Sequence, residues 1–178
     1  MVRVMDVYFM KTQRLGFRKW QREDLSLAMQ LWSNHSVTKY ISATGIYTDE
    51  MIRERFKLEM TLQQEYGYCY WPLFLLEDDT FIGVCGLRPV KVAGYDNVLE
   101  IGVHLIDTYW HQGYAFEAMQ RVVVYALQEL KVDNLFAGHN PHNLRSKALL
   151  KALGFTYFKD EFYEPTGLMH PSYLYYHA

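Results

Sequence analysis

The sequence predicts an α/β fold with a mixed, mostly antiparallel sheet of about seven strands flanked by about four helices. Three strand-like runs follow one another in the middle of the chain, separated by turn residues. Apolar residues at helical spacing occur in two segments before these runs and in two segments after them. Half of the 178 residues are apolar, which is enough for one sizeable core. The predicted order is β-α-α-β-β-β-α-β-α-β-β.

The beginning of the chain contributes one strand and two helices to this order. Residues 1–9 are expected to be a short N-terminal extension, because the first clear strand pattern covers residues 15–18. Residues 10–178 are expected to form a single domain, since no repeat, low-complexity stretch or linker interrupts them. The first helix opens at Glu23, and the second is capped by Thr48.

The remaining elements follow the same two periodicities. The three central strands are predicted at residues 68–76, 80–89 and 98–106. A long helix with an apolar stripe is predicted to begin at Gly113 and to run to residue 130. A short strand at 135–138, a helix at 144–153 and strands near Phe155 and Tyr173 complete the order. The tyrosines clustered at 66–70 and 173–176 are typical of a β-sheet surface.

The third central strand carries candidate chemistry on one face. Its aliphatic residues occupy alternate positions from Leu99 to Leu105, so Glu100, Gly102 and His104 share the opposite face. Gly102 is predicted to leave room for a substrate or cofactor to approach the backbone between two proton-handling groups. An ordinary amphipathic strand whose polar face meets water would have the same pattern.

The start of the long helix is a candidate phosphate site. Its first turn follows Gln112 and contains Gly113, Tyr114 and Ala115. A helix start has free backbone N–H groups and a partial positive charge, and small residues allow an anion to approach them. One glycine at a helix start is also explained by packing. Because neither GxGxxG after a strand nor GxxxxGK occurs, dinucleotide and P-loop chemistry are not expected.

Composition excludes several other classes of protein. A net charge of −2 with interspersed charges argues against nucleic-acid and anionic-membrane partners. The two cysteines, Cys69 and Cys85, have no zinc-ligand or CxxC spacing and are expected to be buried and apolar. The longest nearly uncharged run, residues 66–76, is too short to span a bilayer, and no signal-peptide pattern opens the chain, so a cytoplasmic location is expected.

Three motifs together resemble the GNAT family of N-acetyltransferases. They are residues 100–105 (EIGVHL), 109–118 (YWHQGYAFEA) and 143–155, which open on NLRS and end on GF. Their order and spacing are similar to those of the family, most closely to its ribosomal-protein N-terminal acetyltransferase (RimJ/RimL-type) branch. The similarity extends from about residue 10 to residue 176 and implies the GNAT acyl-CoA N-acyltransferase fold.

The resemblance also implies a cofactor and the residues that bind it. Acetyl-coenzyme A is the expected cosubstrate, with its pyrophosphate on the backbone of residues 110–115. That segment comprises Trp110, His111, Gln112, Gly113, Tyr114 and Ala115. Trp110 stands where the family has Gln or Arg, a departure that changes a side chain but not the amide donors. Gly102, Val103 and His104 are expected to pair with the pantetheine arm as an added strand.

Asn143 and Ser146 each have two possible roles. Asn143 is expected to hold the far arm of the cofactor, but it is equally suited to capping the helix that follows. Ser146 is the candidate general acid in the RimJ/RimL-type branch, and it too has a possible capping role. The tyrosine that many family members carry four residues after this serine is replaced by Leu150. The solvent, Tyr163 or Tyr173 could supply the proton instead.

Amine acetylation also requires a base when the acceptor is protonated. Glu100 is the candidate, with His104 as the alternative on the same face. The expected acceptor is a primary amine, either a protein or peptide N-terminus or a small molecule, and monomer and homodimer remain open. A non-catalytic acyl-coenzyme A binding module is the alternative function. A metal-dependent hydrolase built on His139 and His142 is not expected, because no carboxylate accompanies the pair, and no metal is predicted.

Overall fold

The computed structural model describes residues 7–176. Its strands are β1 (Met10–Lys11), β2 (Leu15–Phe17), β3 (Tyr70–Leu75), β4 (Phe81–Pro89), β5 (Val98–Leu105), β6 (Asn134–Gly138), β7 (Thr156–Tyr163) and β8 (Leu168–Tyr176). Its helices are α1 (Leu25–Trp32), α2 (His35–Thr38), α3 (Asp49–Tyr66), α4 (Tyr114–Val124) and α5 (Leu144–Ala152). The predicted α/β fold is confirmed.

Three details differ from the prediction. The described sheet has eight strands, because Met10–Lys11 forms an additional antiparallel pair with β2. The short helix α2 was not predicted; the side chain of Asn34 caps it by accepting a hydrogen bond from the Ser36 N–H at 2.9 Å. Helix α4 ends at Val124 and continues as a π-helical turn over Tyr125–Glu129, so the predicted long helix changes its hydrogen-bond pattern near its end.

The predicted N-terminal extension falls partly on residues 1–6, which lie outside the described residues. Phe9, its last residue, packs on the sheet. The backbone N–H of Phe9 donates to the carbonyl of Phe17 at 3.1 Å, and its ring centroid lies 5.1 Å from that of Trp71. Phe9 therefore continues the pairing that β1 makes with β2.

Strand pairing changes from antiparallel to parallel at β5, and a gap opens in the sheet there. Strands β3, β4 and β5 form the predicted antiparallel meander, with order β1-β2-β3-β4-β5-β6-β8-β7 across the sheet. Strand β5 pairs with β4 as far as Leu105, but its parallel pairing with β6 covers only Val98, Leu99 and Glu100. Beyond Glu100 the two strands separate, so one backbone edge of β5 has no strand partner among residues 7–176.

Helices α3 and α4 contact the strands of the sheet. Helix α3 is capped by Thr48, whose hydroxyl accepts from the Met51 N–H at 3.2 Å, and it ends at Gly67, where φ is +78°. Helix α4 packs on β4 and β5 and buries Ala118, Met119 and Val122. None of the helices within residues 7–176 is both long enough and apolar enough to cross a membrane.

Candidate active site

A cavity of about 600 Å³ occupies the gap between β5 and β6. One end lies at the turn before α4, where Trp110, His111, Gly113, Tyr114 and Ala115 line it. The other end lies among α3, β3, β4 and the β7–β8 hairpin. The whole unpaired segment of β5 lines the space between them, so one cavity joins the candidate phosphate site to the candidate base.

Glu100 lies at the second of these ends and is held by a tyrosine. The hydroxyl of Tyr70 donates to Glu100 Oε1 at 2.9 Å. Tyr70 is only 4% exposed, so the interpretation of the 66–70 tyrosine cluster as sheet surface is wrong at this residue. Burial raises the pKa of the Tyr70 hydroxyl well above its ordinary value, and the charge of Glu100 raises it further. Tyr70 therefore remains a neutral donor that fixes one carboxylate oxygen.

Gly102 makes room for Tyr70. A Cβ atom at Gly102 would lie 2.1 Å from the Tyr70 hydroxyl oxygen and 2.5 Å from its Cζ. The space at Gly102 that was predicted to receive a substrate or cofactor is therefore filled by the side chain of Tyr70 on β3. The missing side chain allows Tyr70 to reach Glu100 across the sheet.

His104 has a fixed orientation and remains neutral. Its Nδ1 accepts a hydrogen bond from the indole N–H of Trp32 at 3.1 Å, which places the proton of the neutral ring on Nε2. Burial lowers the pKa of His104 well below its ordinary value, and Arg55 and Arg88 lower it further. The basic nitrogen of this imidazole is thus already occupied.

A buried ionic network supports the Glu100 end of the cavity. Glu59 on α3 is 0% exposed, and its Oε1 accepts from Arg55 Nε at 3.0 Å and from Arg88 Nη2. Its Oε2 accepts from the backbone N–H of Tyr70 at 2.9 Å. Arg55 and Arg88 both line the cavity. No short motif marks this network, because its members come from α3, β3 and β4.

The turn before α4 combines two left-handed residues. His111 has φ +61° and Gly113 has φ +81°, and α4 begins at the next residue, Tyr114. The indole N–H of Trp110 donates to the carbonyl of Leu105 at 2.9 Å, which ties the turn to the end of β5. Gln112 does not line the cavity; its side-chain amide donates to the carbonyl of Thr108 at 3.0 Å.

The N-terminal hairpin holds this turn in place. Arg14 Nη1 donates to the Gln112 carbonyl at 3.0 Å, and Arg14 Nε donates to Glu117 in the first turn of α4 at 2.7 Å. The Thr12 hydroxyl donates to the same carboxylate at 2.6 Å. Although burial raises the pKa of Glu117, the hydrogen bonds from Thr12 and Arg14 bring it below its ordinary value.

The start of α5 lines the cavity at the end near the turn before α4. Asn143 Oδ1 accepts from the Ser146 N–H at 3.2 Å, so Asn143 is the cap of α5, and both residues also line the cavity. The hydroxyl of Ser146 makes no hydrogen bond to a described residue. Leu150, the residue at the family's tyrosine position, is 4% exposed and lines the cavity too.

Arg145 is a cavity residue that the motif contained but that sequence reasoning did not select. Its guanidinium carbon lies 3.8 Å from the centroid of the Trp110 ring. This contact places a cation beside the turn that lacks the family's Gln or Arg. The signal available in the sequence was the NLRS motif itself, read together with the tryptophan at position 110.

These features fit an elongated ligand with an anionic end, as coenzyme A has. The first turn of α4 offers amides without helical acceptors, Arg145 adds a cation, and the unpaired edge of β5 can receive an extended arm. Within residues 7–176 no group of three or more His, Cys, Asp or Glu side chains is placed to hold a metal ion. Both ring nitrogens of His139, one of the two histidines considered for a metal site, lie near protein oxygens. Its Nε2 is 3.3 Å from the Tyr173 hydroxyl, and its Nδ1 is 2.7 Å from the carbonyl of Asn140.

Solved acetyltransferases share this fold. A GNAT-family acetyltransferase from Bacillus anthracis superposes with a TM-score of 0.76 at 25% identity, covering 94% of this chain and 97% of that one. A RimL ribosomal L7/L12 α-N-protein acetyltransferase in complex with coenzyme A has a TM-score of 0.75 at 15% identity, covering 93% and 95%. At that identity the second likeness concerns the fold alone.

Sequence comparison gives the family. The sequence model of the acetyltransferase (GNAT) domain family matches residues 14–156 of this chain. An uncharacterized N-acetyltransferase, p20 of Bacillus licheniformis, is 31% identical over 144 residues, which is 81% of this chain and 80% of that protein. This chain belongs to the GNAT acetyltransferase family.

Proposed function

We propose that this protein transfers an acetyl group from acetyl-coenzyme A to a primary amine. The observation that carries the proposal is Glu100, whose carboxylate is fixed by Tyr70 in a cavity that continues to the start of α4. Bound acetyl-coenzyme A supplies a thioester whose carbonyl carbon an amine can attack. The residues of this chain would orient the two reactants and move two protons.

Binding of the cofactor is assigned to residues 110–115 and to the edge of β5. The amides at the start of α4 would receive the pyrophosphate, and Gly102, Val103 and His104 would pair with the pantetheine arm through their backbone. Asn143 and Arg145 flank the same end of the cavity. Arg145, held against Trp110, provides the positive charge that the turn itself lacks.

Glu100 is the proposed general base, directly or through a water molecule. Among the described residues it accepts one side-chain hydrogen bond, from Tyr70 to Oε1, so its second oxygen is available to an amine. His104 is a weaker candidate because its Nδ1 already accepts from Trp32 and its lowered pKa opposes protonation. We therefore assign the proton from the amine to Glu100.

Ser146 is the proposed donor of the proton to the departing thiolate. It lies on the first turn of α5, lines the cavity, and its hydroxyl is not engaged by a described residue. Tyr163 also lines the cavity, and burial and the charge of Glu100 raise the pKa of its hydroxyl, so it stays protonated and is the alternative donor. Tyr173 does not line the cavity, and its hydroxyl lies 3.3 Å from His139 Nε2.

A thiol-release assay with acetyl-coenzyme A tests the proposal. The acceptor panel would contain peptides with free N-termini, polyamines and small amines, because both a protein N-terminus and a small molecule suit a GNAT cavity. Turnover by the wild type that falls in Glu100→Gln and Ser146→Ala would support both assignments. Cofactor binding without turnover of any amine would favour a non-catalytic acyl-coenzyme A binding module, and absence of cofactor binding would reject the proposal.

A further inference from the structure

Two guanidinium groups share one carboxylate at the Glu100 end of the cavity. Arg55 comes from α3 and Arg88 from β4, and each donates one hydrogen bond to the same oxygen of Glu59. The other oxygen of Glu59 accepts from the Tyr70 backbone. Glu59 is 0% exposed and its oxygens are engaged, so it offers little further neutralisation to either arginine.

Both arginines retain unused hydrogen-bond donors. A guanidinium has five N–H groups. The guanidinium of Arg55 and that of Arg88 each make a single hydrogen bond to a described residue. Arg88 Nε is buried and has no partner among the described residues. Arg55 and Arg88 line the cavity, so a ligand that presents several acceptor oxygens could use their remaining donors.

The charges at this end balance only while Glu100 is ionised. The two positive charges of Arg55 and Arg88 exceed the single negative charge of Glu59 by one. The carboxylate of Glu100, beside Tyr70, compensates that charge. When Glu100 accepts a proton from the amine, or when an ammonium ion enters, the positive charge is left in a partly desolvated space. Glu161 also lines the cavity, but it already forms an ion pair with Lys159 at 2.7 Å.

The spacing between the arginines and Glu100 is short. The guanidinium carbons of Arg55 and Arg88 lie 5.5 Å and 4.6 Å from the centroid of the Tyr70 ring. The hydroxyl of the same ring lies 2.9 Å from Glu100. The candidate base and the two cations therefore contact the same tyrosine side chain, an arrangement that suits a small molecule with both an amine and an acid.

We propose that the acceptor is a small amine that carries its own carboxylate, as an amino acid does, with the carboxylate bound by Arg55 and Arg88 and the amine directed to Glu100. This inference rests on the proposed acetyl transfer. The carboxylate uses the free N–H groups of both arginines and keeps the cavity neutral when Glu100 is protonated. Polyamines bring further positive charge towards two guanidinium groups and are disfavoured.

The test compares free acids with their amides. Free α-amino acids and ω-amino acids, each paired with its carboxamide, are offered with acetyl-coenzyme A in the thiol-release assay. At least one free acid should exceed its amide in kcat/KM by about 10- to 100-fold, the effect of losing a charged hydrogen bond. Saturation-transfer NMR on the protein with bound coenzyme A measures the binding of the same acids and amides without requiring turnover.

Variants of the arginines localise the effect. Arg55→Gln and Arg88→Gln should reduce the preference for acid over amide towards unity, while Arg55→Lys, which keeps the charge but loses the planar fork, should retain part of it. Arg53→Gln is the matched control, because Arg53 is an exposed residue of the same helix and does not line the cavity. If removing a partner of Glu59 prevents folding, the acid-to-amide ratio of the wild type still decides the question.

Each outcome has a defined meaning. Equal turnover of acids and amides, or preferred turnover of neutral peptide amides, would overturn the carboxylate site and leave acetyl transfer intact. Selective binding of free acids without turnover would support the carboxylate site and reject the proposed enzymatic function. Absence of both binding and turnover of every free acid would overturn the inference.

Discussion

The two ends of the cavity are built in different ways. The end at α4 is built around one continuous turn, residues 110–115, with Asn143 and Arg145 beside it, and its proposed contacts are mainly backbone amides at a helix start. The Glu100 end consists of side chains from α3, β3, β4 and β5 that hold one another through Glu59 and Tyr70. A site made of backbone tolerates changes of side chain, such as Trp110, whereas a network of buried side chains depends on each partner.

The largest effect is expected from removing the proposed base. Glu100→Gln retains the size and the hydrogen bond from Tyr70 but cannot accept the proton, so kcat/KM should fall by about 100- to 10,000-fold. The dissociation constant for coenzyme A, measured by calorimetry, should stay close to that of the wild type. Glu54→Gln, at an exposed position on α3 outside the cavity, is the control. An unchanged kcat/KM would contradict the assignment of Glu100.

Gly102→Ala tests whether this glycine serves the cofactor or Tyr70. The new methyl group would overlap the end of the Tyr70 ring, so overpacking should lower the free energy of unfolding by about 1–3 kcal/mol. In the background of Tyr70→Ala, which vacates that space, the same substitution should cost much less. Denaturant unfolding of the four proteins in this cycle measures the coupling. If the cost persists without Tyr70, a steric role for its ring is disproved.

Arg145→Ala examines the other end of the cavity. Loss of the cation held against Trp110 should weaken coenzyme A binding by about 10-fold, as expected for a charge-assisted hydrogen bond to phosphate. Lys147→Ala is the matched control, since Lys147 is an exposed cation of the same helix and does not line the cavity. Equal loss of affinity in both variants would indicate a general effect of charge and not a specific contact.

The smallest effect concerns the pH dependence of stability. The pKa of His104 is lowered in the folded protein by burial and by Arg55 and Arg88, so below about pH 6.5 the unfolded chain binds a proton that the folded chain does not. Stability should therefore decrease as pH falls through this window, at most by about 1.4 kcal/mol per pH unit for this group. Melting temperatures between pH 8 and 5.5 measure the slope.

His104→Gln should reduce that slope, and His142→Gln, at an exposed histidine, should not. Part of the slope should remain in His104→Gln, because burial also lowers the pKa of His139 and of His170. A slope identical to that of the wild type in His104→Gln would show that His104 titrates normally in the folded state.

Features carried by local periodicity were predictable. The alternation from Leu99 to Leu105 located β5 and placed Glu100 and His104 on one face, and the glycine at 113 marked the start of α4 to within one residue. The N-cap role of Thr48 was likewise readable, because a cap and its acceptor lie within one turn. Helix α2 escaped prediction because four residues give no measurable periodicity.

Tyr70 shows why the rest could not be predicted. Its tyrosine-rich surroundings are typical of a sheet surface, and nothing local indicates that the side chain crosses above Gly102 to Glu100. The contact joins residues 30 positions apart and depends on the register of β3, β4 and β5. The same holds for Arg88 and Glu59, which are 29 positions apart.

The sequence by itself determined the α/β class, the order of most elements, the position of the turn before α4 and the resemblance to the GNAT family. These depend on spacings of two to four residues and on short contiguous motifs, which survive without knowledge of distant contacts. Only the tertiary structure decided that Gly102 accommodates Tyr70, that His104 is occupied by Trp32, and that two arginines share Glu59. Those arrangements arise because the sheet register and the packing of α3 bring side chains together that no local pattern connects.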